Sequence, residues 1–224
     1  MKLQIFGDSI LQGVVYSDEQ RRYRLRKGSK YDSFADNEIE VENHSRMGAT
    51  AEKILNLQER FINKASKTDV VLLEMGGNDC DYNWQEVSNS PESAHNPKTP
   101  PELFKNLYAK AIKKASSNGA RVAVASLVPI DSEKYLSWIS KGLSKDNIIS
   151  WLGDVSMLSR WHEYYNHIIE NIARKNGCIF VDLRGDFLLR HDYGELICTD
   201  GIHPTEKGYS VIEDKIRSVL LASV

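Results

Sequence analysis

The chain has 224 residues, 41% hydrophobic and 27% charged, and its 29 basic side chains nearly cancel its 31 acidic ones for a net charge of -2. That balance argues against gripping nucleic acid mainly through charge, and a mean hydropathy of -0.43 fits neither disorder nor a membrane protein. The longest apolar runs are about five to seven residues, far short of the roughly 20 that span a bilayer.

The elements follow in chain order. Met1-Lys2-Leu3-Gln4-Ile5-Phe6-Gly7 reads as a strand from the second residue, with no apolar signal-peptide core, so a cytoplasmic setting is expected. Glu38-Ile39-Glu40-Val41-Glu42 alternates and belongs at a sheet edge. Ile54, Phe61, Ile62 and Ala65 then share a helical face. Val70–Met75 reads as a strand whose Val70-Val71-Leu72-Leu73 is a near-continuous apolar run, as parallel strands buried on both faces are. Thr99-Pro100-Pro101-Glu102 reads as a capping box with proline at the first helical position, opening a helix with Phe104, Leu107, Tyr108, Ala111 and Ala115 inward. Strands at Arg121–Leu127 and Cys178–Leu183 flank a helix that buries Leu158, Tyr165, Ile168, Ile169 and Ile172. Gly119 and Gly177 precede those strands, where helices stop in a left-handed residue. A last helix carries Tyr209, Ile212, Ile216, Val219 and Leu220 on one face. Strand alternating with helix specifies an α/β fold with a parallel sheet in one domain. The cysteines Cys80, Cys178 and Cys198 share no C-x-x-C spacing, which indicates neither a disulfide framework nor a zinc knuckle.

In such sheets ligands sit beyond the carboxyl ends of the strands. There the chain places Gly7-Asp8-Ser9, Asn43-His44-Ser45-Arg46-Met47-Gly48, Gly76-Gly77-Asn78-Asp79 and, past a short helix, Asp200-Gly201-Ile202-His203-Pro204. These are the parts for nucleophilic acyl transfer. A serine hydroxyl needs a histidine to accept its proton, and the imidazole needs a carboxylate to fix its tautomer and stabilise its cation. Ser9, His203 and Asp200 supply that set, and the backbone N–H groups of Ser9 and Gly48 with the Asn78 amide suit an oxyanion hole.

In order, these four blocks resemble those of the SGNH (GDSL-type) hydrolases: Gly7-Asp8-Ser9, then Gly48, then Gly76-Gly77-Asn78-Asp79 as G-x-N-D, then Asp200-Gly201-Ile202-His203 as D-x-x-H. Ile10 follows the first block where many members have leucine. The resemblance covers nearly the whole chain. It implies a three-layer α/β/α sandwich of the flavodoxin-like type around a five-stranded parallel sheet, and esterase chemistry without metal or cofactor. It also implies Ser9 as nucleophile, His203 as general base, Asp200 as its orienting partner, and Ser9, Gly48 and Asn78 as the oxyanion hole.

Each residue also has a plainer reading. Asp8 and Ser9 suit a helix cap, Asn78 and Asp79 a turn, and His203 a loop before Pro204; Asp8 and Asp79 are expected to brace their turns even in an active site. His162, Glu163 and His167 do not make a zinc helix, because five residues turn the two imidazoles about 140° apart. Cys80 reads as a buried filler, and the basic run from Arg21 to Lys27 as a solvated face rather than an anion site. Two segments, 80–101 and 129–154, look like insertions at the rim. Their aromatic residues, Tyr82, Trp84, Tyr135, Trp138 and Trp151, either wall a substrate site or bury a small extra core. Tyr82, Trp84 and Trp138 are the substrate-binding candidates.

A phospho-receiver shares the fold, and Asp8, Asp79 and Ser126 would fill three of its roles, but strand five ends Asp182-Leu183-Arg184 without the required lysine. No G-x-G-x-x-G or G-x-S-x-G follows a strand, which disfavours dinucleotide binding and the α/β-hydrolase fold. The expectation is a cytoplasmic serine esterase acting on small acyl esters, with O-acetylated carbohydrate as substrate. Thioester or lysophospholipid hydrolysis would use the same residues, and no nucleic-acid or membrane partner is expected.

Overall fold

The computed structural model describes residues 1–26, 34, 39–62, 69–117 and 119–222. In chain order the first half contains β1 (Lys2–Phe6), α1 (Ser9–Gln12), β2 (Val14–Ser17), β3 (Arg22–Leu25), β4 (Glu40–Asn43), α2 (Ala51–Phe61), β5 (Val70–Leu73), α3 (Trp84–Asn89) and α4 (Pro101–Ser116). The second half contains β6 (Arg121–Ala125), α5 (Ser132–Ile139), α6 (Lys145–Leu152), α7 (Ser156–Lys175), β7 (Ile179–Val181), α8 (Leu183–Leu188), α9 (Tyr193–Leu196) and α10 (Glu206–Ala222).

The five strands anticipated from the sequence pair in parallel in the order β4-β1-β5-β6-β7. The alternating segment forms the edge strand β4. Inner strands bury both faces, so consecutive side chains feed opposite layers. Leu3, Ile5, Leu72, Ala123 and Val181 pack beneath α8 and α10, which contribute Phe187, Tyr209, Ile212, Ile216 and Leu220. Phe6, Val71, Leu73, Val122 and Val124 pack beneath α2, α4 and α7, which contribute Ile54, Phe104, Tyr108, Tyr165 and Ile169. Full burial of each such aliphatic or aromatic side chain is worth about 1.5–3 kcal/mol, and the result is a three-layer α/β/α sandwich. Gly119 and Gly177 sit at φ 82° and 64° before β6 and β7, as their positions required.

Two features depart from expectation, and a third realises one of the two readings of the rim segments. The basic run is one strand of an antiparallel hairpin, β2–β3, with Tyr16 opposite Tyr23. Its arginines clamp α10: Arg24 and Arg26 reach Glu206 at 3.2 and 3.1 Å, and Arg26 reaches Glu213 at 2.5 Å. Lys27, like Ala65 of the predicted helix face, lies outside the described residues. The capping box before α4 does not form. Pro101 does begin the helix, but Pro100 is the cap residue and no side chain caps it; Thr99 is held instead against Asp79, its N–H donating to Asp79 O at 2.9 Å. Finally, α3, α5, α6 and the start of α7 build a third apolar cluster from Val87, Tyr135, Leu136, Ile148, Leu152 and Leu158. Segments 80–101 and 129–154 thus pack on each other over the carboxyl ends of the strands.

Candidate active site

The turn after β1 is tight. A Cβ on Gly7 would stand 2.9 Å from Leu11 Cβ and 3.2 Å from Glu74 Oε2. Asp8 caps α1, its Oδ1 accepting from the Ile10 N–H at 2.8 Å, and this presents Ser9 as the first helical residue. Across the rim, Asp200 Oδ1 accepts from the backbone N–H groups of Ile202 and His203 at 3.1 and 3.0 Å. That Asx-type turn brings the other carboxylate oxygen 2.5 Å from His203 Nδ1, and His203 Nε2 lies 2.9 Å from Ser9 Oγ. A carboxylate only accepts, so Nδ1 carries the proton and Nε2 is left to accept from the serine hydroxyl. All three residues are buried. Burial pushes the Asp200 carboxyl up, but the His203 imidazole and the two backbone N–H groups outweigh it and hold it below the ordinary carboxylate range.

Behind Ser9 lies a buried acidic group: Asp8, Glu74 and Asp79. Burial raises all three, Asp79 to about 6. Glu74 hydrogen-bonds Asp8 and is driven well above its usual value, first by burial and then by the Asp8 charge, so Glu74 keeps the proton of this pair. Asp8 Oδ2 also accepts from Asn78 Nδ2 at 2.9 Å. An acceptor-only partner forces the amide nitrogen toward the nucleophile turn, and its second N–H has no protein acceptor among the described residues. Asp79 braces the turn: both its oxygens lie 3.1 Å from the Ala51 N–H at the start of α2. Gly48, at φ 69°, follows a loop tied to the nucleophile turn by Arg46 N–H to Gly7 O at 3.0 Å and Met47 N–H to Gln12 Oε1 at 2.6 Å.

A cavity of about 330 Å³ opens beside Ser9, Asn78 and His203. Tyr82 and Trp84 line it, with Trp151, Trp161, Tyr135 and several aliphatic residues. The lining includes neither Gly48 nor Trp138, and Trp138, predicted to bind substrate, packs edge-on against Tyr16 at 4.6 Å. Cys80 lines the cavity with its thiol toward Gly77 O at 3.3 Å, and burial raises it well above a reactive thiol's range. His162 is buried against Arg184, and burial followed by that guanidinium drops it to about 3, whereas His167 faces outward beside Asn171 at 2.8 Å. Among the described residues no three His, Cys, Asp or Glu side chains are grouped to hold a metal ion, and no helix is long and apolar enough to cross a membrane. Sequence reasoning missed Glu74 and Tyr23. Glu74 was detectable as a charge directly following the apolar run of β5, whereas nothing local to the arginine-rich run marked Tyr23 as facing inward.

The model of the GDSL-like Lipase/Acylhydrolase family matches residues 5–211. The chain belongs to this family, as the four blocks indicated, and is a carboxylic ester hydrolase of the SGNH/GDSL type. Among solved structures it is similar to an acetyl xylan esterase, AlAXEase, at 22% identity and TM-score 0.65, covering 97% of this chain and 98% of that one. It is also similar to a variant of Axe2, an acetyl-xylooligosaccharide esterase from Geobacillus (17% identity, TM-score 0.65, 97% and 93% covered). A lipase/acylhydrolase from Enterococcus faecalis is similar at 16% identity and TM-score 0.62, with 97% and 94% covered. At these identities the likeness is one of fold. No curated protein matches the sequence.

Proposed function

We propose that the chain hydrolyses small acyl esters through Ser9, His203 and Asp200, and that its substrates are O-acetylated carbohydrates. The observation that carries this is the unbroken hydrogen-bond chain from Asp200 through His203 to Ser9, with spacings of 2.5 and 2.9 Å. Ser9 Oγ attacks the ester carbonyl as its proton passes to His203 Nε2. The tetrahedral oxyanion is held by the Ser9 N–H and the second N–H of Asn78, both from residues that line the cavity, and by the Gly48 N–H, the third donor that the resemblance implies, which like that of Ser9 has no protein acceptor among the described residues. Each such donor is worth about 3–4 kcal/mol. Collapse expels the alcohol, which takes the proton from His203, and leaves an acyl-serine. Water, deprotonated by His203, then attacks, and the acid departs as Ser9 recovers its proton.

Support for a small, sugar-bearing substrate comes from the cavity. Its volume of about 330 Å³ is at the small end of the roughly 300–1,000 Å³ usual for ligand sites, and the aromatic residues Tyr82, Trp84, Trp151 and Trp161 line it. The two similar acetyl-esterases fit the same reading. Cytoplasmic placement is in keeping with three free thiols. The test compares wild type with Ser9→Ala on acetyl, butyryl and octanoyl p-nitrophenyl esters and on acetylated xylo-oligosaccharide. Loss of all activity in the variant and preference for acetyl are expected. An octanoyl preference would point instead to thioesterase or lysophospholipase work, and equal rates in both proteins would remove the triad assignment.

A further inference from the structure

The β2–β3 hairpin brings one more side chain onto the triad, and none of the four motif blocks contains it. The Tyr23 ring lies 5.0 Å from the His203 ring, tilted by 56°, which brings its phenol within electrostatic reach of the Asp200 carboxylate. The ring is held on several sides. Tyr16, its partner across the hairpin, packs edge-on at 5.3 Å, and Trp138 does so at 6.0 Å. Trp138 is itself capped by the Lys141 ammonium at 3.6 Å. On the other flank, Arg24 and Arg26 fix β3 to α10. Trp138, absent from the cavity lining, thus has a place in the support of this ring.

Resting on the triad reading above, we propose that Tyr23 is a positioning residue: its hydroxyl donates to Asp200 and its ring covers His203, so that the acid and base keep one geometry and one tautomer. Asp200 already accepts two backbone N–H groups on Oδ1 and the imidazole on Oδ2. A further donor from a separate element locks the carboxylate against rotation and partly screens its charge. Burial and the neighbouring Asp200 charge raise the phenol above its ordinary range, so it remains a donor through neutral pH. The titratable groups facing His203 are then Asp200 on its own loop, Asp8 from the nucleophile turn and Tyr23 from β3.

The test uses full-length Tyr23→Phe and Tyr23→Ala with p-nitrophenyl acetate, together with the low-field proton resonance of the Asp200–His203 hydrogen bond. Losing one hydrogen bond in Tyr23→Phe is expected to lower kcat about three- to tenfold with KM unchanged, with the resonance displaced and the melting temperature kept. Tyr23→Ala also opens the imidazole to water and is expected to lose about 100-fold and to broaden the resonance, so that phenylalanine gives partial rescue. A Tyr23→Phe protein with wild-type kcat and an unmoved resonance would overturn the proposal, and so would a loss confined to KM. Wild-type rates in Ser9→Ala would instead bring down the triad reading, an outcome separable from both.

Discussion

Gly201→Ala tests whether the loop carrying Asp200 and His203 is positioned by the segment packed above it. Gly201 sits at φ +80°, and an added Cβ would stand 2.3 Å from Tyr135 N, 2.7 Å from Asp131 O and 2.7 Å from Tyr135 Cα. These are backbone atoms at the start of α5, and the Asp131 N–H also donates to Gly201 O at 2.8 Å. No side-chain rotation relieves the contact, so loop and helix must separate by about 1 Å, a displacement that can cost about 100-fold in rate. Left-handed strain adds about 1–2 kcal/mol, which for a chain of this size lowers the melting temperature by about 2–8 °C. Gly142→Ala is the control: it has φ +76° but nothing within 4 Å of the added carbon. It should show the smaller thermal loss due to strain alone, with unchanged p-nitrophenyl acetate kinetics. Wild-type kcat/KM in Gly201→Ala, or equal activity losses in the two variants, would refute the claim that α5 sets the loop.

Two further outcomes follow from the buried acids and the aromatic lining. Asp79 titrates at about 6 against an ordinary 3.8, so the folded state holds more protons than the unfolded between those values. Its contribution is therefore full below about pH 4 and declines by about 3 kcal/mol as pH rises through 6. Asp79→Asn should flatten that decline in urea melts taken from pH 4 to 7, and an unchanged slope would contradict it. Trp151→Ala removes a ring from the cavity wall and should raise KM for acetylated xylo-oligosaccharide about tenfold or more while sparing p-nitrophenyl acetate; equal effects on both would place the sugar elsewhere.

The sheet was legible because its inner strands are buried on both faces, and Val70–Leu73 or Val122–Ala125 can be little else in a chain this polar. The polar turns after those strands were legible for the same reason, since a strand's end fixes where its rim residues fall. The hairpin was not. Arginines at 22, 24 and 26 dominate that run, and the inward side of Tyr23 exists only because His203, Trp138 and the glutamates of α10 are there to receive it. Thr99 carried a true local capping signal, yet its backbone N–H is bound to Asp79, twenty residues earlier, and it does not cap the helix. Trp138 looked equivalent to Tyr82 and Trp84 from position alone. Which aromatic residues face the cavity depends on how the two rim segments pack on each other, a tertiary fact without local sequence code. The Asp8–Glu74 pair likewise joins residues 66 apart.

The central claim is that Ser9 is the nucleophile and His203 its base. The most direct measurement is labelling with a fluorophosphonate followed by peptide mapping, in wild type, Ser9→Ala and His203→Ala. A single adduct on Ser9, absent from Ser9→Ala and greatly slowed in His203→Ala, is the predicted result. An adduct on another residue, or undiminished labelling without His203, would contradict the account.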